Sequence, residues 1–243
     1  MKKVIWGIVG AVVLTVILLA AFGVFGGIII GSGNLTTRNF DLSDFTEIAA
    51  QSGFQLEVVQ SSTFSVEVTA DDNAIDYIDV YKSGNTLKIR PQWNRSFRSV
   101  TLRARVTMPD LYEIKLSGGS GASISSFSSS HDLSVGLSGG SSLAGDIIAV
   151  DTYIALSGGS QVNLQGTADD LDVNGSGGSQ LELGAFPVNN ADINLSGGGI
   201  ATVSVNGTLD VNLSGGSHVT YIGEPTSIDT NLSGASTISK RAA

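Results

Sequence analysis

The chain has 243 residues, 42% of them hydrophobic and 14% charged, which suits one sizeable folded domain, or two small ones, plus a targeting segment and excludes a disordered chain. Glycine is abundant at 31 residues against 4 prolines, so neither a collagen repeat nor a Pro-rich linker fits and the excess glycine belongs at turns. Thirteen Lys+Arg against 22 Asp+Glu give a formal charge of −9, which argues against nucleic acid as a partner. The absence of cysteine excludes disulfides, Cys-based zinc or iron–sulfur sites and a lipidated N-terminal cysteine.

From Val4 to Ile30 no residue is charged. As a helix this run would be about 40 Å long, more than the ~30 Å hydrocarbon core of a bilayer needs. Lys2 and Lys3 precede it and Arg38 is the first charge after it, so the positive-inside rule places residue 1 in the cytoplasm and the rest outside. A cleaved signal peptide is the alternative, with small residues at Ala20, Ala21 and Gly23, but its apolar region is normally shorter. The expected organisation is a stub and single transmembrane helix over residues 1–32, a linker over 33–39 and an extracytoplasmic domain over 40–243 of a single-pass cell-membrane protein.

Residues 40–112 read as irregular first coils and a cap. Phe54, Leu56 and Val58 alternate with Gln55 and Glu57, and Val66 and Val68 flank Glu67, as in strands. Asp72 to Tyr77 suggests one helical turn, Val80 to Ile89 a hairpin around Ser83, Gly84 and Asn85, and Val100 to Val106 another strand. Ser52 and Gly53 resemble a worn copy of the Ser-Gly bend that dominates residues 113–243.

Over residues 113–243 a Leu-Ser-Gly-Gly tetrad returns with its serine at Ser117, Ser138, Ser157, Ser176, Ser196, Ser214 and Ser233, at spacings of 18 to 21 residues. One residue before each serine stands Leu116, Leu137, Leu156, Gly175, Leu195, Leu213 or Leu232, and apolar residues recur with period two on both sides of the glycines. Each unit is strand, bend, strand and turn, too small to fold alone; stacked units bury a continuous core. The predicted fold is therefore all-β, a single-stranded parallel β-helix or β-solenoid of about seven regular coils, with serine and asparagine side chains forming ladders from coil to coil. An open terminal coil is a bare edge strand, so end-to-end pairing of two copies is a candidate assembly.

Several motifs lose their meaning inside the repeat. Gly136 to Gly140 matches the nucleophile-elbow pattern G-x-S-x-G, but no helix follows it. The only histidines, His131 and His218, are too few for a three-His zinc site and read as solvated surface residues. Between Leu116 and Ser239 there are eleven acids and no Lys or Arg, whereas Lys82 to Lys115 holds eight bases and two acids, giving an acidic rod on a basic base. Asp172, Asp192, Asp210 and Asp229 occupy equivalent positions and form a candidate Ca²⁺ column, like charges ~4.8 Å apart repelling by about 0.9 kcal/mol per pair in water. The calcium repeat G-G-x-G-x-D is absent, so no cofactor is required by the pattern.

The segments SGNLTTRNFDLSDFTEI, SGFQLEV, VEVTADDNAIDYIDV, NTLKIRP and VTMPDLYEIKLSGGS, followed by iterated LSGGS, resemble the putative auto-transporter adhesin, head GIN domain family over nearly everything after the apolar run. The resemblance implies an extracytoplasmic bacterial β-solenoid of unknown biochemical function, with no catalytic residues to carry over. The functional expectation is a membrane-anchored, non-enzymatic adhesion, scaffold or sensing module that meets an envelope glycan or protein; the alternative is a glycan-processing enzyme, lyase or hydrolase, on the same scaffold.

Overall fold

The structure, a computed structural model, describes residues 27–242. It is an all-β solenoid of about six turns with almost no helix, fewer than the seven regular coils expected because seven corners bound six complete turns. The chain winds between two long faces. A ten-stranded first face runs from Ser227–Leu232 at one end to Ile78–Ser83 at the other, and an eleven-stranded second face from Thr237–Lys240 to Leu35–Phe40.

The coil follows from period-two sequence and a glycine bend. In Thr152–Leu156 the residues Thr152, Ile154 and Leu156 are buried, while Tyr153 and Ala155 point out. The bend at Ser157 and Gly158 turns the chain into Gln161–Thr167, where Val162 and Leu164 point in. Neighbouring coils pair in parallel with equivalent residues opposite, Ile154 on Val173 and Val173 on Ile193. Side chains one coil apart therefore stack, and the inward leucines, valines and isoleucines make one core. Second-face strands bend midway, with register shifts at Ile124/Phe127 and Leu183/Pro187, and the bend turns Phe127 and Phe186 into the core.

The corners are built from backbone. Gly177 has φ +75°, and a Cβ there would stand 2.7 Å from the carbonyl oxygen of Gly158, one coil away. That oxygen accepts the N–H of Gly178 at 2.9 Å, and the same link recurs from Gly198 to Gly177 and from Gly216 to Gly197.

The cap has a less regular route. Glu47–Gln51 and Gln55–Gln60, joined by a left-handed bend at Ser52 and Gly53, form the lowest rung, and Glu113–Ser117 and Gly121–Ser128 stack directly upon it. Between the two, the chain descends to add Ser65–Asp71, the 3₁₀ turn Ile75–Tyr77, the hairpin of Ile78–Ser83 with Thr86–Pro91, and Leu102–Met108. Both edges at this end are antiparallel. Gln60 fastens the returning chain: its Nε2 donates to the carbonyls of Pro109 and Ser128, and its Oε1 accepts the N–H of Ser128.

The N-terminal expectations change where the structure describes them. Residues 1–26, the bulk of the expected membrane helix, lie outside the described residues. The last part of the apolar run is strand: Ile28–Ile30 pairs in parallel with Ser96–Arg98, as three β-branched residues favour. Among the described residues no helix is long and apolar enough to cross a membrane. Much of the expected linker is also strand, Leu35–Phe40 pairing antiparallel with Ser65–Asp71. Asp71 anchors this segment, its buried carboxylate accepting the N–H groups of Gly33 and Thr101 at 2.7 Å each.

Candidate functional site

The repeat serines Ser117, Ser138, Ser157, Ser176, Ser196, Ser214 and Ser233 stand at the corners, half-buried or exposed. They make no side-chain ladder. Where their hydroxyls bond across coils they donate to backbone, Ser176 to Leu156 O, Ser196 to Gly175 O and Ser233 to Leu213 O, at 3.2–3.5 Å. The serine three residues later matters more. Ser120, Ser141, Ser160, Ser179 and Ser217 are buried, and each donates to the carbonyl of the repeat serine at 2.8–3.0 Å, closing the corner. The fifth letter of LSGGS carries that signal, and attention to the first serine of the motif misses it.

On the outer side of the first face, Asp172, Asp192, Asp210 and Asp229 stand opposite one another in successive strands. The asparagines beside them do not ladder either. Asn174, Asn194 and Asn212 each turn Nδ2 to the aspartate two residues earlier on the same strand, at 2.7, 2.8 and 3.2 Å. A carboxylate and an amide two positions apart share one side of a strand, so the donor meets a charged acceptor before it reaches a neutral amide one coil away. Among the described residues no three acidic or histidine side chains converge as metal ligands. The face is nonetheless strongly acidic: burial, then the carboxylates of Asp132, Asp151, Asp172 and Asp170, push the Tyr153 phenol above its ordinary value.

His131 is more engaged than a solvated residue. Its Nδ1 lies 3.0 Å from Asp110 Oδ2 and its Nε2 3.2 Å from the Tyr112 hydroxyl, with the Tyr112 ring 4.5 Å away centre to centre. It joins the first regular turn to the segment returning from the cap. His218 contacts Thr237 and Thr220 hydroxyls on the second face. Much of the basic segment is tied up locally, in Arg90–Asp79, Arg105–Glu57 and Lys115–Glu113 pairs.

A concavity lies on the outer side of the second face, across the junction of cap and coils. A depression of about 510 Å³ there adjoins a second of about 390 Å³, and Ala122 and Ser142 line both. Two rows of outward residues define it. One runs Thr69, Arg103, Gln55, Gly121, Ser142 and Gln161, each beside the next in strand register. The other runs Glu67, Arg105, Glu57, Ser123, Ala144 and Asn163. The hollow has a steric cause: Ser123, Ser142 and Ala144 are short and exposed, with longer side chains on either side of them, while the Gln55 amide lies over the buried Gly121. On the first face a smaller dip of about 370 Å³ exposes Ala49, Gly136 and Ala155 beside Lys115.

A family model, putative auto-transporter adhesin, head GIN domain, matches residues 44–225, from the lowest rung almost to the last coil. The chain belongs to this family. Among solved structures, a putative adhesin from Bacteroides fragilis is 22% identical with a TM-score of 0.82, covering 88% of this chain and 100% of that one. A putative lipid binding protein from Parabacteroides distasonis is 23% identical with a TM-score of 0.70, again over 88% and 100%. A putative adhesin from Parabacteroides merdae is 18% identical with a TM-score of 0.67, over 88% and 99%. At these identities the family member and its structural relatives share a fold. No curated protein matches the chain.

Proposed function

We infer that this head GIN domain protein is a non-enzymatic adhesion module held outside the cell by an N-terminal membrane anchor. The observation that carries the reading is register. Successive coils set outward side chains opposite one another, from Tyr153 and Asp172 to Asp229 on one face and, in the first half of each second-face strand, from Arg103 to Gln180 on the other. Such faces suit an extended partner gripped by many weak contacts, as surface adhesion requires. Family membership and the adhesin-named structures support the same reading. The uncharged run from Val4 to Ile30 behind Lys2 and Lys3 supports the tether.

Two measurements test it. Beads coated with the purified chain are expected to be retained on whole bacterial envelopes or on immobilised glycans above uncoated beads, with no shortening of the polymers they meet. Retention on no surface, or steady depolymerisation of an envelope polysaccharide, overturns the reading. Protease added to intact cells is expected to digest the β-domain and spare the residues before the apolar run; a protected domain removes the external placement.

A further inference from the structure

We propose that the second-face groove at the junction of cap and coils binds a linear oligosaccharide carrying a single acidic sugar, seated with its carboxylate at Arg103. The proposal deepens the adhesion reading and rests on it. The groove crosses the strands, so an occupant lying along it meets a new pair of outward residues about every 4.8 Å. Its two depressions reach from Arg103 and Thr69 on the cap to Gln180 and Thr202, some seven strand spacings or roughly 34 Å.

The lining chemistry selects the occupant. Gln55, Gln161, Gln180 and Asn163 offer amides, and Ser142 and Ser123 hydroxyls, groups that both donate and accept, as sugar hydroxyls do. The aliphatic residues of the lining, Leu56, Leu143, Val162 and Leu181, are buried in the core, and the exposed Ile200 alone offers too little apolar surface to hold an acyl chain.

The charges set the position of the acidic sugar. Arg105 stands directly between Glu57 and Glu67 in register, with its Nη1 3.7 Å from Glu57 Oε2, so its charge is answered within the protein. Arg103 stands between Gln55 and Thr69, both neutral, and among the described residues it makes no ion pair. It is an exposed guanidinium in the lining of the first depression, able to take a carboxylate by a two-point hydrogen bond. One carboxylate is the limit. Glu57, Glu67 and Glu182 in the groove and the net charge of −9 repel a polyanion.

The test titrates the purified full-length chain calorimetrically with six-sugar xylo-oligosaccharides, either neutral or bearing one glucuronic acid. The acidic oligomer is expected to bind more tightly. Arg103→Gln should weaken it about ten- to a hundredfold and leave the neutral oligomer unchanged. Ala144→Trp, which fills the floor of the groove from an exposed position, should abolish binding of both, and Ser123→Tyr is the second filling variant should the first not fold. The proposal is overturned if wild type binds neither oligomer, if a folded filling variant binds as wild type does, or if free glucuronic acid binds as tightly as the oligomer. Beads coated with the Ala144→Trp chain separate the two readings. If they adhere as wild type does, the groove is refuted and adhesion stands; if wild-type beads adhere nowhere, adhesion itself falls.

Discussion

Replacing one corner glycine and comparing it with another isolates what coil stacking demands of the backbone. Gly140 and Gly177 have nearly the same left-handed conformation, φ +78° and +75°. Alanine in that region costs roughly 1–2 kcal/mol at either place. Nothing lies within 4 Å of a Cβ on Gly140, so Gly140→Ala should cost only that. On Gly177 the Cβ would stand 2.7 Å from the Gly158 carbonyl oxygen and 3.3 Å from the Gly158 nitrogen and Cα, all of them backbone with no flexible end to move aside. The oxygen it displaces is the acceptor for Gly178 N–H, so the substitution also strains or breaks an inter-coil hydrogen bond worth about 0.5–1.5 kcal/mol. Gly177→Ala should therefore cost about 1.5–3.5 kcal/mol, some 0.5–1.5 kcal/mol more than Gly140→Ala. Urea unfolding followed by circular dichroism gives both values, provided the slopes match wild type. Faster amide exchange at Gly178 in the Gly177→Ala protein would place the damage at that bond. Equal costs at the two sites would refute the claim that corners are held glycine-only by the coil next door.

Ser160→Ala removes a buried hydroxyl that closes a corner and should cost about 1–2 kcal/mol, whereas Ser157→Ala, at the repeat serine itself, should change the melting temperature by less than about 1 °C. The reverse order would restore the repeat serine as the structural one. Thr152 is fully buried in the inward column between Leu133 and Leu171, and its hydroxyl has no protein partner. Thr152→Val keeps the shape and should raise the melting temperature by about 2–4 °C, corresponding to ~1 kcal/mol; a fall would mean that the hydroxyl is satisfied. The N–H groups of Thr101 and then Gly33 hold the Asp71 carboxyl below its ordinary value. A depressed folded value means the stabilisation is complete above the unfolded value near 3.9 and is lost as pH falls through the lower folded value. The melting temperature of wild type should thus fall more steeply than that of Asp71→Asn on acidification below about pH 4, and parallel curves would dismiss the clamp.

The legible part of this fold is the part governed by period two. Leu116, Leu137 and Leu156 alternate with polar or small neighbours, so their burial follows from the pleat alone. The bend at Ser52 and Gly53 is visible because left-handed backbone leaves a composition trace. Segment 33–39 reads as a linker because Thr36, Thr37, Arg38 and Asn39 are polar; it is an edge strand, which water faces on its open side and which needs few apolar residues. Column spacing alone assigns the asparagines to ladders because it ignores competition within the strand, where Asp172 lies nearer in chain and stronger as an acceptor. The groove is beyond sequence reasoning for a topological reason. Arg103 and Gln55 are 48 positions apart, and they become neighbours only because the chain lays down a rung, descends to build the cap and climbs back.

That detour also explains how an open solenoid is held at one end. A parallel coil cannot terminate itself, since its last strands have unpaired amides and carbonyls along the edge. At the base the last strands reverse direction: Leu35–Phe40, Ser65–Asp71 and Ile78–Ser83 run antiparallel to their neighbours, so the parallel stacking of coils does not continue past them. At the other end Ser227–Leu232 lies wholly at the surface, with Ile228 and Leu232 left 42% and 40% exposed, and the adjoining cations are used locally, Lys240 on Glu224 and Arg241 toward Glu182. The two ends thus differ in kind. The base is built from residues far apart in sequence and opens only if many contacts are lost together, whereas among the described residues Ser227–Leu232 and Thr237–Lys240 each pair with one strand of the coil before them. The groove begins at this end: Arg103 is paired in register with Gln55 and Thr69, so the residue proposed to seat the carboxylate belongs to the base, whose strands are the more interlinked.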